Sequence, residues 1–278
     1  MARKAKHGTL LTVIFTIISI FYMFPIALVL LNSFKKKAYI SKKPFAIPTG
    51  KMFVGLDNYA KGIDTTNFVA SFCTSLFITV FSVLAIVLLT SMCAWYISRV
   101  KNALTNGIYY MCLFSMIVPF QMVMFSLSKI ANMLHLTNPV GIIVVYVGFG
   151  AGLAVFMFCG FVKSIPLEIE EAAMIDGCTP IQTYFQVVLP IMKPTCITVA
   201  ILDAMWIWND YLLPYLVLDM KKWKTLPMAI QYLRGGYGSI DMGAMMGVLV
   251  LAMIPIIIFY MACQKHIIEG VVAGAVKG

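Results

Sequence analysis

The sequence predicts an all-α membrane protein, and three observations carry that reading. Its 278 residues are 61% hydrophobic and only 12% charged, with a mean hydropathy of +0.92, whereas a soluble domain carries about 25% charged residues. Six apolar stretches approach or exceed the ~20 residues that a helix needs to cross a bilayer. Between the fourth and the fifth lies a polar island, residues 164–194, which holds Glu168, Glu170, Glu171 and Asp176 out of eleven acidic residues in all. Six crossings put both termini on one side, and residues 1–278 read as a single transmembrane domain.

The spans follow in order. Arg3, Lys4 and Lys6 precede an uncharged run from Thr9 to Leu31. That run is long for a signal-peptide core, and no clear small-residue cleavage site follows it. Residues 9–31 are therefore the first span, with a kink expected at Pro25. A polar loop with Pro44, Pro48, Gly50 and Gly55 leads to the second span, 72–97, and Arg99 and Lys101 mark a short turn. The third span is placed at 108–131. Asn132, His135, Asn138 and Pro139 then form a turn before the fourth, 141–162. The fifth is placed at 195–217 and the sixth at 242–264, ahead of a glycine-spaced tail (Gly270, Gly274, Gly278) suited to close packing. Lysine and arginine are spread evenly over the two sides, so the positive-inside rule does not orient the chain.

The polar island reads as a helix–turn–helix. Pro166 suits a first helical turn, and Glu168, Glu170 and Glu171 sit near the positive end of its dipole. Gly177 reads as a left-handed stop after Ala172–Ile175. Thr179 and Gln182 are spaced as a capping box around Pro180, so a second helix starts at once. Ile181, Tyr184, Phe185 and Val188 fall on one helical stripe, and Pro190 and Pro194 close the unit.

This stretch resembles the Glu-Ala-Ala loop of ABC importer permeases. The pattern Glu-Ala-Ala, two residues, Asp-Gly, seven residues, Phe, then Leu-Pro is met by Glu171, Ala172, Ala173, Asp176, Gly177, Phe185, Leu189 and Pro190. Trp208-Asn209-Asp210-Tyr211, Pro214, Thr225-Leu226-Pro227 and the tail from Gln264 to Gly278 resemble the carbohydrate branch, in particular its second, maltose-type permease subunit. Two departures from that branch are Thr74 ahead of Ser75 and a charge, Lys129, in the third span.

The resemblance implies a type I ABC importer permease fold whose 164–194 loop is a cytoplasmic coupling element, with both termini cytoplasmic, in a prokaryotic plasma membrane. It implies a homologous second permease, two ABC ATPase subunits, an extracytoplasmic solute-binding protein and a carbohydrate substrate as partners. It implies no cofactor in this chain, ATP and Mg being held by the ATPases. Small side chains such as Ala172 and Ala173 would allow close backbone approach by the ATPase. The alternatives are a permease for another small solute, or a stand-alone secondary transporter, which would call for coupling charges and an internal repeat.

Candidate pathway residues are Gln121, Trp208, Asn209, Asp210, Tyr211 and Tyr215, the aromatic rings offering surface for sugar. Asp203 and Asp210 lie seven apart on one helical face. For Asp203 a structural bond is the favoured reading, and for Asp210 structure and pathway weigh equally. The run from Gly148 to Gly152 and the pair Gly243 and Gly247 read as small-residue helix packing. No Walker A, H-E-x-x-H or G-x-S-x-G sequence occurs, which argues against ATP binding by this chain and against a membrane protease or lipase. Seven scattered cysteines with no C-x-x-C pair read as packing residues. No basic stripe with interleaved aromatics suggests nucleic acid.

Overall fold

Helices carry the fold of the computed structural model, which describes residues 8–233 and 241–275, with side chains in the last helix as far as Lys265. Contacts divide it into two compact units. One consists of residues up to Val69 with Ala229–Pro255, the other of Ala70–Met228 with residues from Ile256 onward.

In the first unit, α1 (Gly8–Ser33) stays helical through Pro25, and only Asn32 and Ser33 on it are buried. An apolar helix so largely uncovered by the described residues suits a lipid environment. The chain then folds back on Lys35. Its fully buried ammonium donates to Asn32 Oδ1 at 3.0 Å and to the carbonyls of Lys43 and Pro44 at 2.9 and 2.8 Å. Three acceptors match the three protons of the group. This bonding anchors α2 (Lys37–Lys42) and, through the antiparallel bridge Lys35–Phe53, the short turn at Gly50–Met52.

Asn58, on α3 (Asp57–Thr65), donates to the carbonyls of Ser33 and Lys35. The last helix of the chain (Met242–Ala275) meets α3 through its glycines. A Cβ on Gly243 would overlap the Asn58 side chain, and one on Gly247 would lie 3.2 Å from the Asn58 backbone. The packing expected of that pair is present, and Lys61 and Asp241 form an ion pair beside it.

The second unit is built on α4 (Phe68–Arg99), α5 (Ala103–Ile117), α6 (Phe120–Met133) and α7 (Pro139–Val162). The expected third span, 108–131, is not one rod. α5 and α6 meet at Val118–Pro119 with a bend of 110°, because proline removes a backbone donor and its ring excludes the preceding turn. Gly150 and Gly152 both lie against neighbours. A Cβ on Gly150 would be 2.7 Å from Ile86, and one on Gly152 would be 2.8 Å from the Cys112 carbonyl, whereas Gly148 faces open space. Close packing therefore runs through Gly150 and Gly152 and not through Gly148.

The 164–194 loop contains α8 (Leu167–Ile175), α9 (Pro180–Thr183), a π turn over Tyr184–Val188, and α10 (Leu189–Ile191). It turns by 75° into α11 (Lys193–Asn209). The expected fifth span, 195–217, is interrupted. Asp210 leaves the helix with φ −74° and ψ 125°, and α12 (Leu212–Val217) resumes after it. α13 (Leu226–Tyr232) and the last helix, α14 (Met242–Ala275), complete the chain. Among the described residues, four helices are long and apolar enough to cross a membrane, or up to six if each bent pair is one span. All seven cysteines are unpaired. Gly278 and the side chains of the glycine-spaced tail lie outside the described residues.

Candidate coupling loop and span interior

α8 is held at both ends by local chemistry. Pro166 precedes it, and Glu168 and Glu170 occupy its first turn. Gly177 takes φ +94°, and its N–H donates to the Met174 carbonyl at 3.1 Å while that of Cys178 donates to Ala173 at 3.0 Å. These two bonds are the paired closure of a Schellman motif, which places glycine at the left-handed position. Thr179 and Gln182 then form both bonds of a capping box, with Pro180 in the first turn of α9. Asp176 is the C-terminal cap residue of α8.

The helix has two distinct faces. Glu170 and Ala173, three residues apart, are buried, whereas Glu171 and Ala172 are exposed. Leu167, Ile169, Met174, Ile175, Ile181 and Phe185 are exposed large apolar residues on the same loop. Ala173 therefore packs inward, and of the expected contact trio Glu171 and Ala172 remain outward. The expected stripe is divided: Tyr184 and Val188 are buried, while Ile181 and Phe185 face out. Leu189 is half-buried and Pro190 exposed.

The groups that hold the loop were not apparent in the sequence. Glu170, 1% exposed, accepts from Arg99 Nε at 3.0 Å and Nη2 at 2.7 Å through Oε1, and from Trp95 Nε1 at 2.9 Å through Oε2. Arg99 Nη2 also donates to the Ile165 carbonyl at 3.0 Å. The hydroxyls of Ser91 and Tyr184 lie 2.6 Å apart, and the Trp95 and Tyr184 rings are 5.5 Å apart. A buried carboxylate is tolerated where its lone pairs are taken up by charge-assisted bonds, as here.

The candidate pathway residues lie in different surroundings. Trp208 is buried with its ring 5.6 Å from Phe72, edge-on, so it offers no free face. Asn209 is exposed but donates to the Met205 carbonyl one turn back. The Asp210 carboxylate accepts the N–H groups of Leu212 and Leu213 at 2.9 and 3.3 Å and the Tyr146 hydroxyl at 3.1 Å. It joins α11 to α12 and to α7. Gln121 is exposed just after the Pro119 bend, and Tyr211 and Tyr215 stack at 5.3 Å. Asp203 is 4% exposed, and its Oδ2 has no hydrogen-bond partner among the described residues. Asp210 makes a bond to a neighbouring helix of the kind expected of Asp203. Among the described residues, no group of His, Cys, Asp and Glu could hold a metal ion.

Comparison with known proteins fits this architecture. Residues 86–272 match the family described as binding-protein-dependent transport system inner membrane component. The probable starch degradation products transport system permease protein AmyC of Thermoanaerobacterium thermosulfurigenes is 39% identical over 268 residues, covering 96% of each chain. The multiple sugar-binding transport system permease protein MsmG of Streptococcus mutans is 34% identical and covers 95% of each. A crystal structure of a bacterial ABC transporter that imports the acidic polysaccharide alginate contains a chain with the same fold. It superposes with a TM-score of 0.79 at 20% identity, over 95% of this chain and 99% of that one. The chain belongs to the family of binding-protein-dependent transport system inner membrane components.

Proposed function

We propose that this protein is the permease subunit of an ATP-driven carbohydrate importer of the prokaryotic plasma membrane, and that the 164–194 loop is its coupling element. The observation that carries the coupling role is the two-faced α8. Glu171 and Ala172 are presented outward among exposed apolar side chains, while Glu170 and Ala173 bind the loop to its own chain. A small residue beside a carboxylate on a rigid, capped helix suits insertion into a cleft of a partner protein. Names of relatives support the substrate class: starch degradation products for AmyC, and melibiose, raffinose and stachyose for MelC of Bacillus subtilis, which is 28% identical over the whole chain.

The chain itself would perform no covalent chemistry. Two ATPase subunits would bind and hydrolyse ATP, an extracytoplasmic binding protein would deliver sugar, and a homologous permease would complete the pathway. The alginate transporter has also been crystallised with a periplasmic protein bound to an alginate pentasaccharide. Alternating access would follow from displacement of α8, with both termini on the ATPase side. The test is reconstitution of the purified complex in proteoliposomes, with uptake from a panel of labelled mono- and oligosaccharides measured with and without ATP. The proposal expects ATP-dependent uptake of at least one sugar and co-purification of an ATPase. Uptake by this chain alone, driven by an ion gradient, would overturn it.

A further inference from the structure

We propose that Arg99 is a positioning residue for the coupling loop, and that its ion pair with Glu170 makes α4 the element by which displacement of that loop reaches the span interior. The inference rests on the coupling role proposed above. Ser91, Trp95 and Arg99 recur every four residues, so they share one face of α4. That single face holds both helices of the loop. Ser91 pairs with Tyr184 beyond the capping box, and Trp95 and Arg99 converge on Glu170 of α8.

The geometry favours transmission over adhesion. The Glu170 side chain is 2% exposed and that of Arg99 20%. A desolvated ion pair is weak evidence for stability, because an apolar pair of similar volume often holds elements together as well. What the guanidinium adds is direction. Its Nε and Nη2 both bond Oε1 while Nη2 also bonds the Ile165 carbonyl ahead of α8, so the helix cannot rotate or slide without moving Arg99. Glu171, the next residue on α8, lies on the outward face. A push on that face therefore acts on the pair directly.

Beyond this clamp the buried polar face of α4 makes few hydrogen bonds to other elements. Ser75, Thr79 and Ser82 are buried, and of these Ser75 accepts the Leu226 N–H at 2.7 Å. The hydroxyls of Thr79 and Ser82 have no hydrogen-bond partner among the described residues. Side-chain bonds to other elements thus fix α4 at its Ser91–Arg99 end and near Ser75, and the stretch between them is held by apolar packing, with Ile78 and Ile86 buried. That arrangement lets displacement at one end appear as a shift in the middle.

The experiment compares the complete reconstituted complex carrying Arg99→Lys, or Arg99→Met together with Glu170→Leu. ATPase subunits retained on the tagged chain, ATP hydrolysis stimulated by sugar-loaded binding protein, and ATP consumed per sugar imported are all measured. The apolar pair is expected to retain the ATPase at wild-type amounts while stimulation falls at least about fivefold, the low end of ordinary coupling factors, and ATP consumed per sugar rises. Arg99→Lys keeps the charge but loses the fork, and should fall between it and the wild type. Normal assembly with unchanged stimulation in either variant would overturn the proposal. So would loss of assembly in both, which would make the pair a folding element. Failure of the wild-type complex to hydrolyse ATP in response to loaded binding protein would instead defeat the coupling role itself.

Discussion

Gly177→Val tests the turn between the two loop helices. Gly177 sits at φ +94°, and a Cβ there would meet nothing within 4 Å. The penalty of a side chain is therefore conformational and not a clash. An ordinary L-residue in the left-handed region costs roughly 1–2 kcal/mol, and a β-branched one is a stronger outlier, so about 2–3 kcal/mol is expected for valine. A penalty of 2 kcal/mol shifts a local equilibrium about thirtyfold. The strain is relieved by opening the bonds from Gly177 to Met174 and from Cys178 to Ala173, which frays α8 beside Ala172. Gly177→Asn, which tolerates positive φ, should be close to wild type, with Gly177→Ala between. The assay is ATP hydrolysis stimulated by sugar-loaded binding protein, alongside amide exchange across residues 167–178. Stimulation should fall in the order Gly, Asn, Ala, Val while membrane insertion persists. Near-normal stimulation with Gly177→Val would refute the reasoning.

Asp210→Ala removes the acceptor for the Tyr146 hydroxyl and for two N–H groups of α12, at about 1–3 kcal/mol for each group left buried and unpaired. The yield of assembled complex should drop, and an unchanged yield would contradict the linking role. Asp203→Asn relieves a buried carboxylate with an unbonded oxygen, so thermal stability in detergent should hold or rise by about 1 kcal/mol; a clear loss would show a partner bond. Lys35→Met strands the Lys43 and Pro44 carbonyls, worth about 1–3 kcal/mol each, and limited proteolysis should then cut within 36–44, a loop expected to resist cleavage in the wild type. Burial raises the Asp241 carboxyl, but hydrogen bonds from Lys61 and the Ala244 N–H outweigh it and hold the group below its ordinary value. A depressed folded value means that the stabilisation is complete above about pH 4 and is lost as pH falls through that value. The pair is partly exposed and worth at most about 1 kcal/mol. The melting advantage of wild type over Asp241→Asn should therefore vanish in acid, and a pH-independent advantage would contradict it.

What the sequence revealed was mostly local. Proline, glycine and capping residues act within a few positions, and so Gly177, the Thr179–Gln182 box and the polar island could be read directly. The partners of Glu170 could not, because Arg99 and Trp95 lie 71 and 75 positions away and only packing brings them together. Residue type also says little about burial inside a membrane bundle. Trp208, a candidate sugar platform by residue type, is buried and packs edge-on against Phe72. The bonds of Asp210 follow from where α11 ends, which depends on the dihedral angles of Asp210 and not on spacing. Pro119 was visible, but whether a proline bends a span depends on which neighbours satisfy the freed backbone, and here it turns the chain sharply. The π turn at Tyr184–Val188 has no comparable sequence mark.

The central claim is that the outward face of α8 meets an ATPase. A photoreactive amino acid at Ile175, which is 85% exposed, tests it most directly in membranes that transport sugar. The account predicts a covalent adduct with the ATPase subunit from position 175, and none with that subunit from Ser41 in α2, which follows the first helix. An adduct from position 175 to the sugar-binding protein, or an ATPase adduct from Ser41, would contradict it.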